Sequence, residues 1–339
     1  MATYKEISGF NIKTLSSDPS NLLEGDMWYN TTSNTLKVAE LAASAWSAAA
    51  VLNTARDNMG AAAQSTSTAG LIMGGHTSSP PDPEGGRDIT ESYNGTAWTA
   101  ENLLATEITA NGGAGTQAAG LSFGGYVNIT GSPTSQTESW DGTNWTTVNA
   151  MNTARTLYQG TAGTQGAALA IGGDPGNLTA TEEFDGTNWA TSPGSLNTPR
   201  GNMAGAGAQT AAVAFGGTTP GSFVVTTTES YDGSTWTSQG ALNTARRRAA
   251  GGGTLTAGLA FGGLVPGPAA SASTETFDGS SWTAGSSMGT ARYFLGGLGL
   301  TSTQSMATGG LLTGVGSNYT NLTEEYNPPV AVAKTVTTS

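Results

Sequence analysis

The sequence predicts an all-β fold made of about six copies of one unit, and three observations carry that prediction. Four landmarks recur in the same order: an Asn-Thr-Ala-Arg connector, an apolar run ending in Gly-Gly, a Thr-Glu-x-aromatic-Asp-Gly turn and a tryptophan. The Gly-Gly pairs recur every 44 to 50 residues, a spacing typical of four-stranded propeller blades. No segment has a helical period long enough to compete with short strands. Together these observations predict a six-bladed β-propeller with four-stranded antiparallel blades.

Each unit supplies the four strands of one blade. In the fifth unit, residues 246 to 254 are rich in glycine and small side chains, which suits the crowded innermost strand. Residues 257 to 261 are an apolar run, and residues 273 to 277 alternate polar and apolar before an Asp-Gly dipeptide that is typical of hairpins. We expect the aromatic before each Asp-Gly and the repeated tryptophan to fill the contacts between blades. These tryptophans are Trp46, Trp98, Trp145, Trp189, Trp236 and Trp282.

The two ends of the repeat array are incomplete in complementary ways. Trp46 and its connector lack a preceding Gly-Gly and Asp-Gly, whereas the last unit runs to residue 327 without a tryptophan. We therefore predict that the strand around Trp46 completes the last blade and closes the propeller, which removes exposed sheet edges. Residues 1–40 are predicted to form an extended arm and an attachment hairpin, 41–327 the propeller, and 328–339 an extended tail.

Two stretches resemble known families. The unit, with its Gly-Gly, downstream aromatic, tryptophan and Thr-Ala-Arg, resembles a kelch repeat over residues 46 to 327, and this resemblance implies a propeller. The stretch GDMWYNTTSNTLKV at 25 to 38 resembles a hairpin near the start of many tailed-phage fibre and appendage proteins. That resemblance implies that Trp28 and Tyr29 help to attach the chain to other virion proteins. A strand pair that packs beside the first blade is the alternative.

Composition narrows the classes of function. The net charge is −12, and charged residues make up 11% of the chain, which argues against nucleic-acid binding and anionic membranes because both need clustered Lys and Arg. No apolar run reaches the roughly 18 residues of a membrane span, and no secretory signal is visible at the start. We therefore expect the protein on a virion, or alternatively secreted without a classical signal.

Few residues are suited to catalysis. The chain has no cysteine and one histidine, so cysteine or histidine metal clusters and thiolate chemistry are not expected. We predict no enzymatic activity and no cofactor. The aspartates of the Asp-Gly turns are interpreted as caps of their own turn backbone rather than as calcium ligands. The connector arginines and the glutamates of Thr-Glu occur in near-equal numbers, and we predict that they pair as structural contacts.

The loops between Gly-Gly and Thr-Glu vary most between units, and we expect them beside the connectors on one face. Variable loops on a rigid scaffold are typical binding sites, although neutral drift in loop length is the alternative. The candidate binding residues in these loops are His76, Arg87, Tyr126, Phe223 and Tyr319. The run of arginines at 246 to 248 is interpreted as one connector arginine with two neighbours that have no role of their own.

Two functions fit these patterns. The first is a non-enzymatic structural protein of a tailed phage, displayed on tail, fibre or capsid as part of a symmetric assembly. Its loops would contact a host-surface glycan or protein, or neighbouring subunits. The second is a cellular carbohydrate-binding or adhesion propeller. A glycan-cleaving enzyme is a weaker third possibility, because candidate acids, bases and metal ligands are scarce.

Overall fold

The structure is a computed structural model that describes residues 12–77, 87–221, 223–267, 269–313, 318–327, 329 and 331–337. Across these residues the chain is all-β, and its one helix is the single 3-10 turn Asn128–Thr130. No helix among them is long and apolar enough to cross a membrane. The contacts divide the chain into two compact units, one of Met1–Ser44 with Pro328–Ser339, and one of Ala45–Asn327.

The smaller unit is one four-stranded sheet. Its strands, in spatial order, are β1 (Lys13–Leu15), β2 (Met27–Asn30), β3 (Thr35–Leu41) and β34 (Ala331–Thr335). β2 and β3 form the predicted hairpin, and β1 runs parallel to β2. The tail, which the sequence predicts to be extended, contributes β34, and β34 pairs antiparallel with β3. The first three residues of β34, Ala-Val-Ala, are apolar and partly buried, and Lys334 of β34 forms an ion pair with Glu40 of β3 at 2.5 Å.

The larger unit contains six four-stranded antiparallel sheets within its described residues, numbered here 1 to 6. Sheet 1 is formed by β5 (Gly60–Ala61), β6 (Gly70–Met73), β7 (Thr90–Tyr93) and β8 (Trp98–Ala100). Sheet 2 is formed by β9 (Gly112–Gly115), β10 (Gly120–Phe123), β13 (Thr137–Trp140) and β14 (Trp145–Val148). Sheet 3 is formed by β15 (Thr161–Thr164), β16 (Ala167–Ile171), β17 (Thr181–Phe184) and β18 (Trp189–Thr191).

The remaining three sheets repeat this pattern. Sheet 4 is formed by β19 (Ala204–Ala208), β20 (Ala211–Phe215), β23 (Thr228–Tyr231) and β24 (Trp236–Gln239). Sheet 5 is formed by β25 (Ala250–Thr254), β26 (Ala257–Phe261), β29 (Thr274–Phe277) and β30 (Trp282–Gly285). Sheet 6 is formed by β31 (Gly296–Gly299), β32 (Ser305–Thr308), β33 (Thr323–Asn327) and β4 (Ala45–Ala49). The prediction of four antiparallel strands per repeat is therefore confirmed.

Three small hairpins extend the loops of sheets 2, 4 and 5. They are β11 (Tyr126–Val127) with β12 (Ser132–Pro133), β21 (Thr218–Thr219) with β22 (Phe223–Val224), and β27 (Leu264–Val265) with β28 (Ala269–Ala270).

Sheet 6 combines strands from both ends of the larger unit. β4 pairs antiparallel with β33, and Trp46 lies opposite Tyr326, so the predicted pairing of the Trp46 segment with the last repeat is present. The first strands of the sheets contact one another in the order β5, β9, β15, β19, β25 and β31, and β31 also contacts β5.

Neighbouring first strands approach so closely that a side chain would not fit between them. A Cβ added to Gly251 would lie 2.6 Å from the carbonyl oxygen of Gly205, and a Cβ on Gly297 would lie 2.6 Å from that of Gly251. These distances are far below a van der Waals contact and involve rigid backbone. The glycine-rich sequence of the first strands is thus explained by close backbone approach, as predicted.

The predicted pairing of connector arginines with Thr-Glu glutamates is confirmed. Each arginine contacts the glutamate of the sheet that its connector precedes, at 2.6 to 3.0 Å, and all the arginine side chains are fully buried. The pairs are Arg56–Glu91, Arg155–Glu182, Arg200–Glu229, Arg246–Glu275 and Arg292–Glu324. Sheet 2 lacks such a pair because its connector carries Ile108 where the others carry arginine. Glu138 is nevertheless buried there, and burial raises its pKa.

Each repeat tryptophan joins its own sheet to the preceding one. Its indole Nε1 donates to a threonine Oγ1 of that neighbouring sheet at 2.8 to 3.2 Å. The bonded pairs are Trp46–Thr274, Trp98–Thr323, Trp145–Thr90, Trp189–Thr137, Trp236–Thr181 and Trp282–Thr228. The rings also contact aromatics of the neighbouring sheet, as Trp282 does Phe215 with 4.9 Å between ring centres.

Candidate functional site

The connectors and the variable loops lie side by side at one end of the sheets. The residue after each connector arginine pairs with the residue after a Gly-Gly, as Asp57 does with His76 and Arg247 with Leu264. The second glycine of each pair also donates to the carbonyl oxygen of the following connector, for example Gly263 to Arg292 at 2.8 Å. We call the surface formed by these connectors and loops the connector face.

The centre of the connector face is formed by one residue after each connector, two positions after the arginine or Ile108 in five repeats and three positions after Arg155 in the case of Tyr158. All six of these residues have a left-handed backbone, with φ between 52° and 57°. They are Asn58, Ala110, Tyr158, Asn202, Arg248 and Phe294, and we call them the connector ring. Backbone hydrogen bonds link most neighbours, such as Asn58 N to Phe294 O at 2.9 Å and Phe294 N to Arg248 O at 3.0 Å.

Three side chains of the connector ring stack on one another. The Arg248 guanidinium carbon lies 4.2 Å from the centre of the Phe294 ring, within the range of a cation–π contact. Phe294 and Tyr158 are stacked with 5.4 Å between ring centres. These residues and Asn58 line a small cavity of about 10 Å³, the space of about one water molecule. Beneath them, Gln159 Nε2 donates to Met59 O at 3.0 Å.

Two carboxyl groups flank the connector ring. Asp57 is 2% exposed, and this burial raises its pKa to about 8, so the acid is largely protonated at neutral pH. Asp174 accepts hydrogen bonds from Asn177 N at 3.2 Å and from Asn202 Nδ2 at 3.0 Å, and burial raises its pKa as well. Burial also raises the pKa of Tyr158. Arg248 remains the cation at the centre, because arginine is not deprotonated in proteins.

The structure brings together two of the predicted binding residues. The hydroxyl of Tyr319 and Nδ1 of His76 are 2.5 Å apart, and the same Nδ1 is 3.7 Å from Asp57 Oδ1. Arg87 Nε donates to Thr77 Oγ1, which belongs to the residue after His76, at 2.7 Å. Residues 78–86 and 314–317 of the same predicted loops lie outside the described residues.

The other two predicted loop residues stand apart from this group. Tyr126 is half-buried and pairs with Thr109 of the adjacent connector. Phe223, on the β21–β22 hairpin, is 69% exposed. Exposure of a large aromatic ring suits contact with a ligand, because the ring loses apolar surface to water when it is covered.

In the smaller unit, Trp28 is buried and Tyr29 is partly exposed. Trp28 Nε1 and Asn30 Nδ2 both donate to Asp18 Oδ1, at 3.0 and 2.7 Å. Tyr29 donates to Asn34 Oδ1 at 2.5 Å. Trp28 therefore stabilises its own hairpin, and the role of both residues in attachment stays a prediction.

The turn aspartates act as backbone caps, as predicted. Asp185 Oδ1, for example, accepts from the backbone N of Thr187 and Asn188 at 2.8 and 2.7 Å. These hydrogen bonds lower the pKa of Asp185. The described residues contain no group of three or more His, Cys, Asp or Glu side chains placed to hold a metal ion.

Sequence reasoning missed the connector ring. Its members look unrelated in the sequence, and Arg248 was interpreted as a neighbour without a role. One signal points to them, because five of the six lie two residues after a connector position and Tyr158 lies three residues after Arg155. Five residue types occupy these six places although the nearby arginine recurs in five repeats, so the side chains vary where the backbone structure repeats.

A scan against models of known protein families found no match, and a search of curated proteins likewise found no significant relative.

Proposed function

We propose that the chain is a non-enzymatic recognition protein whose larger unit is a closed six-bladed kelch-like β-propeller. The cyclic contacts of the first strands, with β31 beside β5, support closure. The pairing of β4 with β33 and the bond from Trp98 to Thr323 support it independently, because both join the first and last repeats. A closed propeller offers a rigid scaffold without long exposed sheet edges.

The observation that carries a recognition function is the contrast between interior and connector face. Inside the larger unit the repeats use the same side chains for the same contacts, namely the arginine–glutamate pairs and the tryptophan–threonine bonds. At the connector ring, five residue types occupy the six equivalent places, namely one arginine, one tyrosine, one phenylalanine, one alanine and two asparagines. Repetition is required by folding, so the divergence is best explained by contact with a ligand.

We place this recognition protein on a tailed-phage particle. The division into two units supports that setting, because the smaller one, with its phage-like hairpin, provides a separate attachment module. In this proposal the hairpin binds other virion proteins in a symmetric assembly, and the connector face contacts a host-surface glycan or protein.

Quantitative mass spectrometry of purified particles tests the setting. We expect peptides around Trp28 and Trp236 at a fixed multiple of three, five or six copies per particle. Their absence from washed particles would contradict the virion setting and leave the recognition function standing.

A secreted carbohydrate-binding propeller is the second candidate. It is favoured by the exposed ring of Phe223 and by the aromatic pair Tyr158 and Phe294, since aromatic rings suit the apolar faces of sugars. This candidate would be supported if the wild-type protein binds glycans on an array and purified particles do not contain the protein.

A further inference from the structure

The guanidinium of Arg248 is held in place, but not all of its N–H donors have an acceptor. The Phe294 ring covers one side of it, and its Nε donates to Asn202 Oδ1 at 3.2 Å. Across the described part of the chain, its two terminal nitrogens take part in no hydrogen bond or ion pair. The five connector arginines, in contrast, each contact a glutamate. Arg248 therefore offers a free two-pronged donor, the arrangement that matches a planar carboxylate.

The same cavity contains an acceptor without a donor. Asn58 lines the cavity, and its Oδ1 is buried without a hydrogen-bond partner, while its Nδ2 donates to Asp57 Oδ2 at 3.1 Å. An unpaired buried acceptor is costly, so such atoms in a folded protein call for a partner. A ligand hydroxyl that enters the cavity would supply the missing donor.

The surrounding charges favour a single negative charge on the ligand. Five ionisable groups influence Arg248 or its neighbours, namely Asp57, Arg247, Tyr158, Tyr293 and Asp174. Asp57 is largely protonated at neutral pH, and the Asp174 carboxylate already accepts hydrogen bonds from Asn202 and Asn177. Arg247 adds a second cation nearby. The net charge of −12 on the whole chain disfavours polyanions such as nucleic acids.

We propose that the connector ring binds an acidic sugar, with the sugar carboxylate on the terminal nitrogens of Arg248 and a sugar hydroxyl on Asn58 Oδ1. The cavity of about 10 Å³ admits one small group rather than a whole ring, so a sugar hydroxyl enters it while the carboxylate and the rest of the glycan lie outside. This inference rests on the proposed recognition function and specifies its ligand.

Titration calorimetry on the full chain tests the proposal, with glucuronate and N-acetylneuraminate as acidic probes, glucose as a neutral probe and acetate as a carboxylate without hydroxyls. The key variant is Arg248→Asn, because asparagine already occupies the equivalent left-handed position at Asn58 and Asn202 and tolerates that backbone well. The matched control is Arg247→Gln, which removes the neighbouring cation and keeps the ring intact.

We expect the wild-type protein to bind the acidic sugars, and to bind glucose and acetate at least about tenfold more weakly. Arg248→Asn should lower the affinity for the acidic sugars at least about tenfold, because it removes one charged hydrogen-bonded contact. Arg247→Gln should change affinity less than about threefold. Unchanged binding by a folded Arg248→Asn protein, or equal binding of glucose, would overturn the proposal.

A glycan array separates this inference from the proposed function. Binding of neutral glycans that Phe294→Leu abolishes would refute the acidic-sugar proposal and leave recognition by the connector face intact. An array on which no glycan of either class binds would count against the acidic-sugar proposal, and particle mass spectrometry would then judge the virion setting alone.

Discussion

Replacing Arg200 by methionine measures what one buried ion pair contributes to the larger unit. Arg200 Nη1 donates to the carbonyl oxygens of Gly216 and Thr227 at 3.0 and 2.9 Å, and Nη2 donates to Glu229 Oε1 at 2.9 Å. Methionine fills much of the same volume but offers no donor. The variant would leave the buried Glu229 carboxylate without its cation, with only Asn197 donating to Oε2, and would remove one donor from each of the two carbonyl groups.

Removing one partner of a buried ion pair costs about 3–5 kcal/mol of unfolding free energy. In domains of comparable size, 1 kcal/mol shifts Tm by roughly 2–4 °C, so we expect Arg200→Met to lower Tm by roughly 6–20 °C. Differential scanning calorimetry and far-UV circular dichroism would measure the shift.

A second variant shows that the orphaned charge is the cause. Adding Glu229→Gln to Arg200→Met removes that charge, so the double variant should recover part of the lost stability. Arg248→Asn is the matched control, because Arg248 has no glutamate partner, and its Tm should stay near the wild-type value. An Arg200→Met protein that melts within about 2 °C of wild type would refute the assignment of the pairs as stabilising contacts.

Three further substitutions follow from buried groups of the larger unit. Burial raises the pKa of Asp57 to about 8, whereas its value in the unfolded chain is about 4, so the folded state loses stability as the pH rises between these values. The Tm of Asp57→Asn should therefore increase relative to the wild-type Tm from pH 4 to pH 8. A Tm difference that stays constant over this pH range would contradict the prediction. Glu138→Gln should raise the Tm at pH 7 or leave it unchanged, because Glu138 lacks an arginine partner and burial raises its pKa. Glu229→Gln should lower the Tm, because Glu229 pairs with Arg200. Calorimetry of both variants compares the two effects directly. Gly251→Ala should cost at least about 1–3 kcal/mol in urea unfolding, because its Cβ would meet the Gly205 carbonyl oxygen; a neutral result would refute the close approach.

The sequence was sufficient for features that repeat. Arg200 and Glu229 belong to a pattern that occurs five times, so their pairing followed from counting, and the capping by Asp185 followed from the chemistry of Asp-Gly turns. The strand around Trp46 was found because two incomplete repeats complemented each other. Repetition makes such contacts predictable, since each copy reports the same physical requirement.

Features that occur once were not predictable in this way. Arg248 and Phe294 lie 46 residues apart in sequence and meet only because equivalent connectors converge. The pairing of β34 with β3 was missed because adjacent prolines indicated an extended segment but gave no partner for it. The hydrogen bond from Trp28 to Asp18, ten residues earlier, is of the same kind, because no local pattern connects the two residues.

The larger unit is inserted in the sequence between β3 and β34, two paired strands of the smaller unit's sheet, and we call this insertion a cassette. β3 and β34 end their pairing at Leu41 opposite Ala331, and β4 and β33 end theirs at Ala45 opposite Asn327. In the sequence, the chain leaves one sheet through residues 42–44 and returns to it through residues 328–330. A gene that encodes such an insertion can exchange the whole cassette for another whose ends are equally close, while the host sheet keeps its strands. Different units could then be exchanged on one constant base by recombination at two sites.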